Sequence, residues 1–316
     1  MILAVTNKRD VSADFVIREL QRRGIPYRRI NTEDLAEDAC SCELPQFSWA
    51  LDSLSKGRLN LADVKVVWFR RPGNPFDETG VKDRPPAAVQ RFVTEQWATW
   101  LETIEFAPDC HWVNHPEPST RFENKIRQLR LAGELGFLIP QTLVSNDPTR
   151  IREFVAARKT VVKALFAPLL EGETEDRFVF SEMVGLDDLS DASALQAAPV
   201  IFQEAILPKV DYRVTVVGDL IFAVRIDLPP GAVDWRVHIR DVIFTRVELP
   251  DEVAQRCLQF VRRAGLVFGA IDLLKRYDTW YFLEINPSGE WGWLQQPVGL
   301  PIAEALCDTL IELSSD

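Results

Sequence analysis

The sequence is short of several features that commonly reveal a function. Its 316 residues hold three histidines, His111, His115 and His238, too dispersed for a metal cluster. No G-x-G-x-x-G follows the first apolar strand, where Thr6-Asn-Lys-Arg-Asp10 stands instead, and no G-x-x-x-x-G-K-[ST] occurs anywhere. A dinucleotide fold and a P-loop are therefore disfavoured. Without a G-x-S-x-G or similar setting for a nucleophile, serine or cysteine hydrolase chemistry has little support. The five cysteines (40, 42, 110, 257 and 307) contain no C-x-x-C pair, and no partner near Cys40 and Cys42 completes a zinc site. Reduced thiols in a cytosolic protein are expected. Positive charge is also in deficit, with 36 Lys and Arg against 47 Asp and Glu, a net −11. That argues against a nucleic-acid partner, although a local basic pocket stays open. No apolar run reaches membrane length, and the first one is too short for a signal peptide. No repeat or low-complexity tract is visible.

The remaining residues suit a large core, since 47% are hydrophobic, with chain enough for about two domains. Ile2–Val5, a helix from Asp10 to Arg23 capped by Ser12, and Ile25–Ile30 read as strand–helix–strand, which points to a parallel sheet. A strand from Val64 to Arg71 follows. A helix begins at Pro85 and Pro86, with Val89, Phe92, Val93, Trp100, Leu101 and Ile104 on its inner face. Thr120 and Glu123 have capping-box spacing before a helix over 121–135. Later strands joined by tight turns such as Gly218-Asp219 point to antiparallel pairing. The fold class expected is α/β followed by α+β, in three parts: an N-terminal α/β domain over 1–115, a small central subdomain over 116–204, and a C-terminal antiparallel half over 205–316.

One stretch carries the chemistry. "WYFLEINPSGE" (280–290) is an apolar strand bearing Glu284 and Asn286, which alternation puts on one face. A hairpin symmetric about Asp278 sets Asp272 opposite Glu284. Opposed like charges are destabilising unless something pairs with them. Asp272, Glu284 and Asn286 together offer only oxygen donors, the set suited to Mg²⁺ or Mn²⁺ with phosphates completing the shell. An exposed sheet face with ordinary polar residues is the alternative. Three cations sit in apolar settings and could meet phosphates: Lys125, Lys163 and Arg213. Lys163 could instead be an outward edge residue, and Lys125 a solvated helix residue.

The order of these pieces resembles the ATP-grasp ligases. From about 112 to 293 the chain runs N-x-P, N-K-x-x-Q-L, a strand lysine, F-Q-E, D-Y-R-V, I-D-L and F-L-E-I-N-P-x-G. The resemblance implies that Lys125 and Lys163 reach the ATP phosphates. It implies that Gln203, Glu204, Ala205 and Ile206 form a hinge reading adenine through backbone groups, with Glu204 or Asp211 near the nucleoside. Arg213 then sits beside the γ-phosphate and acyl phosphate, and Asp272, Glu284 and Asn286 hold the metal. The opening "AVTNKRD", "VWFRRP", "QTLVSNDP" and the aromatic tail "GEWGWLQ" are similar to graspetide synthetases, the microviridin-type peptide macrocyclases. Unlike many ATP-grasp enzymes, no glycine-rich phosphate loop follows Lys163.

The expected reaction is ATP-dependent activation of Asp or Glu side chains as acyl phosphates, followed by ω-ester closure with Thr or Ser, or ω-amide closure with Lys. The partner implied is a precursor peptide with a leader and a Thr/Glu/Asp-rich core, and the family suggests a homodimer. Arg236, in a turn-rich loop, is a candidate guide for the acceptor carboxylate, and also reads as a solvated loop residue. Arg70 and Arg71 end a strand, where parallel sheets place ligands, and they with Trp291 are candidate peptide contacts; pairing of the two arginines with the many local acids is the alternative. Alternatives are an amino-acid or glutamate ligase acting on small molecules or a carrier protein, and a nucleotide-sensing module without turnover.

Overall fold

Ile2–Thr6 (β1) is buried along its whole length, as a central strand of a parallel sheet must be. The computed structural model describes residues 1–76, 85–166, 169–170, 177–178, 181–229, 235 and 242–315. By its contacts the chain divides into two units. One holds Met1–Pro116, Leu266–Phe268 and Glu290–Asp316; the other holds Glu117–Gly265 and Gly269–Gly289.

In the first unit, Val11–Arg22 (α1) follows β1. Its cap is Asp10, whose side chain accepts from the Ala13 amide at 3.0 Å. Ser12 was the expected cap but lies buried in the first turn. Gly24, at φ +67, ends the helix in the left-handed region that suits glycine. Tyr27–Asn31 (β2) pairs parallel with β1. Ala39–Glu43 (β3), Ser48–Ser53 (β4) and Gly57–Asn60 (β5) form an antiparallel meander. Val66–Phe69 (β6) returns beside β1, Ala87–Glu102 (α2) crosses back, and His111–Val113 (β7) closes a parallel sheet of order β2-β1-β6-β7. The core gathers Leu3, Val5, Ile30, Leu51 and Val67, with Trp49 stacked on Trp100 at 4.6 Å. The stripe expected on α2 is only half used. Leu101 and Ile104 are buried, but Val89 and Phe92 are 45% and 61% exposed.

The second unit starts with Pro116–Arg121 (α3) and Lys125–Glu134 (α4), which replace the single helix expected over 121–135. The cap of α4 is Asn124, accepting from the Arg127 amide at 3.1 Å, in place of the Thr120–Glu123 box. Thr142–Ser145 (β8), Pro148–Ala157 (α5), Thr160–Lys163 (β9), Leu169–Leu170 (β10), Arg177–Phe178 (β11), Glu182–Val184 (β12), Ala192–Gln196 (α6) and Val200–Glu204 (β13) follow. Four of these strands make an antiparallel sheet of order β12-β9-β13-β8, packed on α5 through Ile151, Val155 and Phe202. β10 pairs with β11 apart from it.

Val210–Val217 (β14), Leu220–Asp227 (β15), Ile243–Val247 (β16), Phe268–Arg276 (β17) and Thr279–Asn286 (β18) build a five-stranded antiparallel sheet, with Asp251–Arg263 (α7) inserted between β16 and β17. Its order is β16-β15-β14-β17-β18, so β18 lies at an edge. Phe282 and Phe260 stack at 5.0 Å beneath it. Gly269 lets Val261 of α7 and Ile285 of β18 pack close to β17, because a Cβ there would lie 2.7 Å from Ile285 Cδ1 and 3.2 Å from Val261 Cγ2. The chain then returns to the first unit, where Gly292–Gln295 (α8) and Ile302–Ser315 (α9) complete it, α9 packing on α1 and β6. Among the described residues no helix is long and apolar enough to cross a membrane.

Candidate active site

The β17–β18 hairpin pairs Asp272 with Glu284, as the sequence reading expects, and Ala270 with Asn286. The route to that pairing differs from the expected one. The turn holds two residues, Tyr277 and Asp278, between the Arg276–Thr279 pair, and Tyr277 takes φ +54. Such a turn alone would set Asp272 opposite Leu283. A bulge between Asp272 and Leu273 supplies the correction, leaving Leu283 as the extra residue of β18. Strand alternation would otherwise have sent Glu284 to the face opposite Asp272.

Each opposed carboxylate is met by a cation. Arg213 on β14 donates through Nη1 to Asp272 Oδ1 at 2.7 Å, and both residues are buried. Lys125 Nζ lies 3.4 Å from Glu284 Oε2 and donates to the Ala164 carbonyl at 3.0 Å. Asn286 is exposed, and its Oδ1 accepts from the Ser288 amide at 3.2 Å. The chain folds tightly just beyond it. A Cβ on Gly289 would lie 2.4 Å from that of Ala270, so glycine is required there. Among the described residues no group of three or more His, Cys, Asp or Glu side chains could hold a metal ion. Asp272, Glu284 and Asn286 nonetheless suit a hard cation by donor chemistry, because all three present oxygen. Two carboxylates and a carboxamide cannot fill such a shell, so water and phosphate oxygens must supply the rest.

Lys163 on β9 finds the partner that a strand lysine needs. Its Nζ donates to Gln203 Oε1 at 2.9 Å, and Gln203 Nε2 donates to Thr142 Oγ1 at 3.0 Å. Gln203 is buried, so it presents a fixed acceptor to the ammonium. At the end of β13 the Glu204 amide donates to the Gln141 carbonyl and the Ala205 amide to the Lys159 carbonyl, both at 2.8 Å. Those two donors are engaged within the protein, and Ile206 follows with its side chain buried. Asp211 is buried against Lys209, whose Nζ donates to its two oxygens at 2.8 and 2.6 Å. The sequence reading passed over Lys209, although K-x-D alternation marks it. It quoted Gln128 within N-K-x-x-Q-L but gave no role to it; the residue is buried one turn along α4 from Lys125.

The candidate peptide contacts belong to the first unit and fare differently. Arg70 is 2% exposed and donates through Nε to Asp10 Oδ2 at 2.9 Å. Asp10 also accepts from Thr6 Oγ1 and caps α1. Arg70 is thus a buried brace between the end of β6 and the start of α1, in line with the reading that it pairs with a local acid. Arg71 is exposed at φ +48 and pairs with Glu290, which Arg70 also approaches at 3.4 Å. Trp291 is fully enclosed beside Phe15, at a ring distance of 6.3 Å, so its indole cannot face a peptide. Arg236 lies outside the described residues. A cavity of about 220 Å³ lies in the first unit, lined by Phe69, Trp97 and Trp112 among others. It is smaller than the roughly 300–1,000 Å³ of most small-molecule sites.

No family model matches the chain, and no curated protein does either. Solved structures do. The macrocyclase MdnC of Microcystis aeruginosa MRC, bound with precursor peptide MdnA, is 28% identical over 99% of both chains, with a TM-score of 0.86. The Chryseobacterium gregarium RiPP-associated ATP-grasp ligase, in complex with ADP and a leader and core peptide, is 26% identical over 98% of this chain and 96% of that one, again at 0.86. ATP-grasp ligase PsnB, complexed with minimal precursor, Mg and ADP, is 23% identical over 99% and 97%, at 0.77, a likeness of fold.

Proposed function

We infer that this chain, a member of the graspetide synthetases within the ATP-grasp ligases, closes side-chain links in a ribosomal precursor peptide, driven by ATP. The observation that carries this reading is the end-to-end likeness to a macrocyclase bound with its precursor, in a chain whose β17–β18 hairpin aims two carboxylates and a carboxamide at one face.

A carboxylate is a poor acyl donor because its leaving group would be an oxide. Attack of a peptide Asp or Glu oxygen on the γ-phosphorus of ATP releases ADP and yields an acyl phosphate. A Thr or Ser hydroxyl, or a Lys amine, then attacks the acyl carbon, and phosphate departs with the bonding electrons. The peptide loses one water for each ring. Little covalent chemistry falls to the protein, so positioning and charge neutralisation dominate.

In this reading Lys125 and Lys163 hold the phosphates, and Arg213 neutralises charge on the transferring group. The segment Gln203–Ile206 accepts the adenine edge, with Glu204 and Asp211 toward the nucleoside. Asp272, Glu284 and Asn286 would hold Mg²⁺, which when bound offsets phosphate charge; PsnB is described with Mg and ADP. Arg71, exposed at the end of its strand, is retained as a contact for peptide carboxylates, and Arg236 as a guide for the acceptor carboxylate. A substrate made by the ribosome and a need for ATP support a reaction in the cytoplasm.

The test is mass spectrometry of the cognate precursor incubated with the full-length chain, ATP and Mg²⁺. Loss of one water per ring, with one ADP released for each, is expected. An unchanged peptide, together with ATP-dependent joining of free amino acids, would replace this reading with that of a small-molecule ligase.

A further inference from the structure

Among the described residues β18 lies at the edge of its sheet: beyond a single bridge from Leu138 to Tyr281, no strand runs along the outer side of its backbone. A side chain occupies that place. Gln128 Oε1 accepts from the Ile285 amide at 3.0 Å, and Gln128 Nε2 donates to the Ile285 carbonyl at 2.9 Å. A carboxamide carries one donor side and one acceptor side, as a peptide bond does. It therefore serves as a one-residue partner strand. Ile285 is the residue between Glu284 and Asn286. Its amide belongs to the peptide unit that follows Glu284, and its carbonyl to the unit that precedes Asn286.

We propose that Gln128 is the positioning residue of this site: it fixes the two peptide planes from which Glu284 and Asn286 project, and so sets where their oxygens meet a divalent cation. This rests on the reading of that face as a nucleotide and metal site. Three observations support the assignment. Gln128 is 1% exposed, and its Nε2 also donates to the Phe122 carbonyl, so its carboxamide is held in one orientation. The outer edge of β18 is anchored again at Phe282, whose amide donates to the Leu138 carbonyl at 2.9 Å. The two anchors stand on either side of Leu283, the extra residue that turns Glu284 toward Asp272, and hold the bulge between them. Lys125 lies three residues before Gln128 on α4, so one helix face presents both a cation to Glu284 and a brace to its strand.

The experiment measures Mn²⁺ binding by electron paramagnetic resonance, on the full-length protein with a non-hydrolysable ATP analogue. Gln128→Met keeps the length of the side chain and removes both bonds to Ile285. It is expected to weaken Mn²⁺ binding by about 10–100-fold, the usual effect of losing a partner that orients metal ligands. Leu51→Ala, on β4 in the core of the first unit, removes buried volume without touching those bonds; it should lower the melting temperature and leave Mn²⁺ affinity near wild type. Equal weakening in both variants would mean general loosening and would overturn the role of Gln128. So would wild-type affinity in a folded Gln128→Met. Should that variant not fold, Gln128→Glu, which keeps the acceptor for the Ile285 amide and loses the donor, is judged by the same comparison. Failure of the wild type itself to bind Mn²⁺ with nucleotide would refute the site, a different result from failure of the brace alone.

Discussion

Replacing Lys125 with methionine separates a catalytic cation from a structural one. The ammonium stands 3.4 Å from Glu284, where an effective dielectric constant of about 20 gives about 5 kcal/mol of gross attraction. Both side chains keep about a fifth of their surface in solvent, at 19% and 23%. Screening and desolvation then reduce the net contribution to about 0–1 kcal/mol. The charged hydrogen bond to the Ala164 carbonyl adds about 1.5–3 kcal/mol. Lys125→Met should therefore cost about 2–4 kcal/mol at most, and at about 2–4 °C per kcal/mol the melting temperature should fall without loss of the fold. The rate tells a different story. Loss of one prearranged cation at a site of developing charge typically slows turnover about 10²–10³-fold. The assay pairs thermal melting with ADP release in the presence of the precursor peptide. Near-normal turnover in a folded Lys125→Met would refute the assignment of this ammonium to the phosphates. Collapse of the fold would show that its main task is to join α4 to the segment after β9.

Two further outcomes follow from local environments. Burial pushes the Cys257 thiol up to about 12 and those of Cys110 and Cys307 to about 11, whereas Cys40 and Cys42 are exposed on β3. A disulfide reagent at mildly alkaline pH should modify Cys40 and Cys42 first and Cys257 only after denaturation; rapid reaction at Cys257 would contradict the packing of α7. Hydrogen bonds from Arg22 and Arg23 hold the Glu19 carboxyl at about 2, below its ordinary 4.5. A depressed carboxyl stabilises the fold above its unfolded value, and that contribution is lost as pH falls from about 4.5 to about 2. Glu19→Gln should lower the melting temperature at neutral pH and flatten its decline across that window. An identical decline in wild type and variant would count against the pairing.

The site was more legible than the packing around it, for reasons that particular residues make clear. Alternation and the penalty on opposed carboxylates were enough to bring Asp272, Glu284 and Asn286 to one face, although the turn was read one residue too long. The two errors compensate, because a three-residue turn and a two-residue turn with a bulge yield the same pairing at the base. Helix starts were misread where two capping residues compete. Asp10 and Asn124 stand close to Ser12 and Thr120, and aspartate and asparagine are at least as good at the position. Asp10 also answers Arg70, a partner sixty residues away that local spacing cannot reveal. On α2, periodicity marked an apolar stripe correctly, but it carries no information about what covers the stripe. Gln128 stood in the sequence only as the Q of N-K-x-x-Q-L, and its role could not be read there, since its partners are backbone atoms of Ile285, far along the chain.

The extra residue in β18 also determines where the hairpin tolerates changes in length. From Arg276–Thr279 to Leu273–Phe282 the ladder keeps one count, and from Asp272–Glu284 inward it keeps another. The tip and the base are out of step by one, with Leu283 absorbing the difference. At the tip, Tyr277 is 75% exposed and Asp278 is fully in solvent. Lengthening the tip by matched residues on both strands would extend the outer ladder without changing the inner count. That makes the tip a natural insertion point for a tag or reporter, with the carboxylates at the base kept face to face.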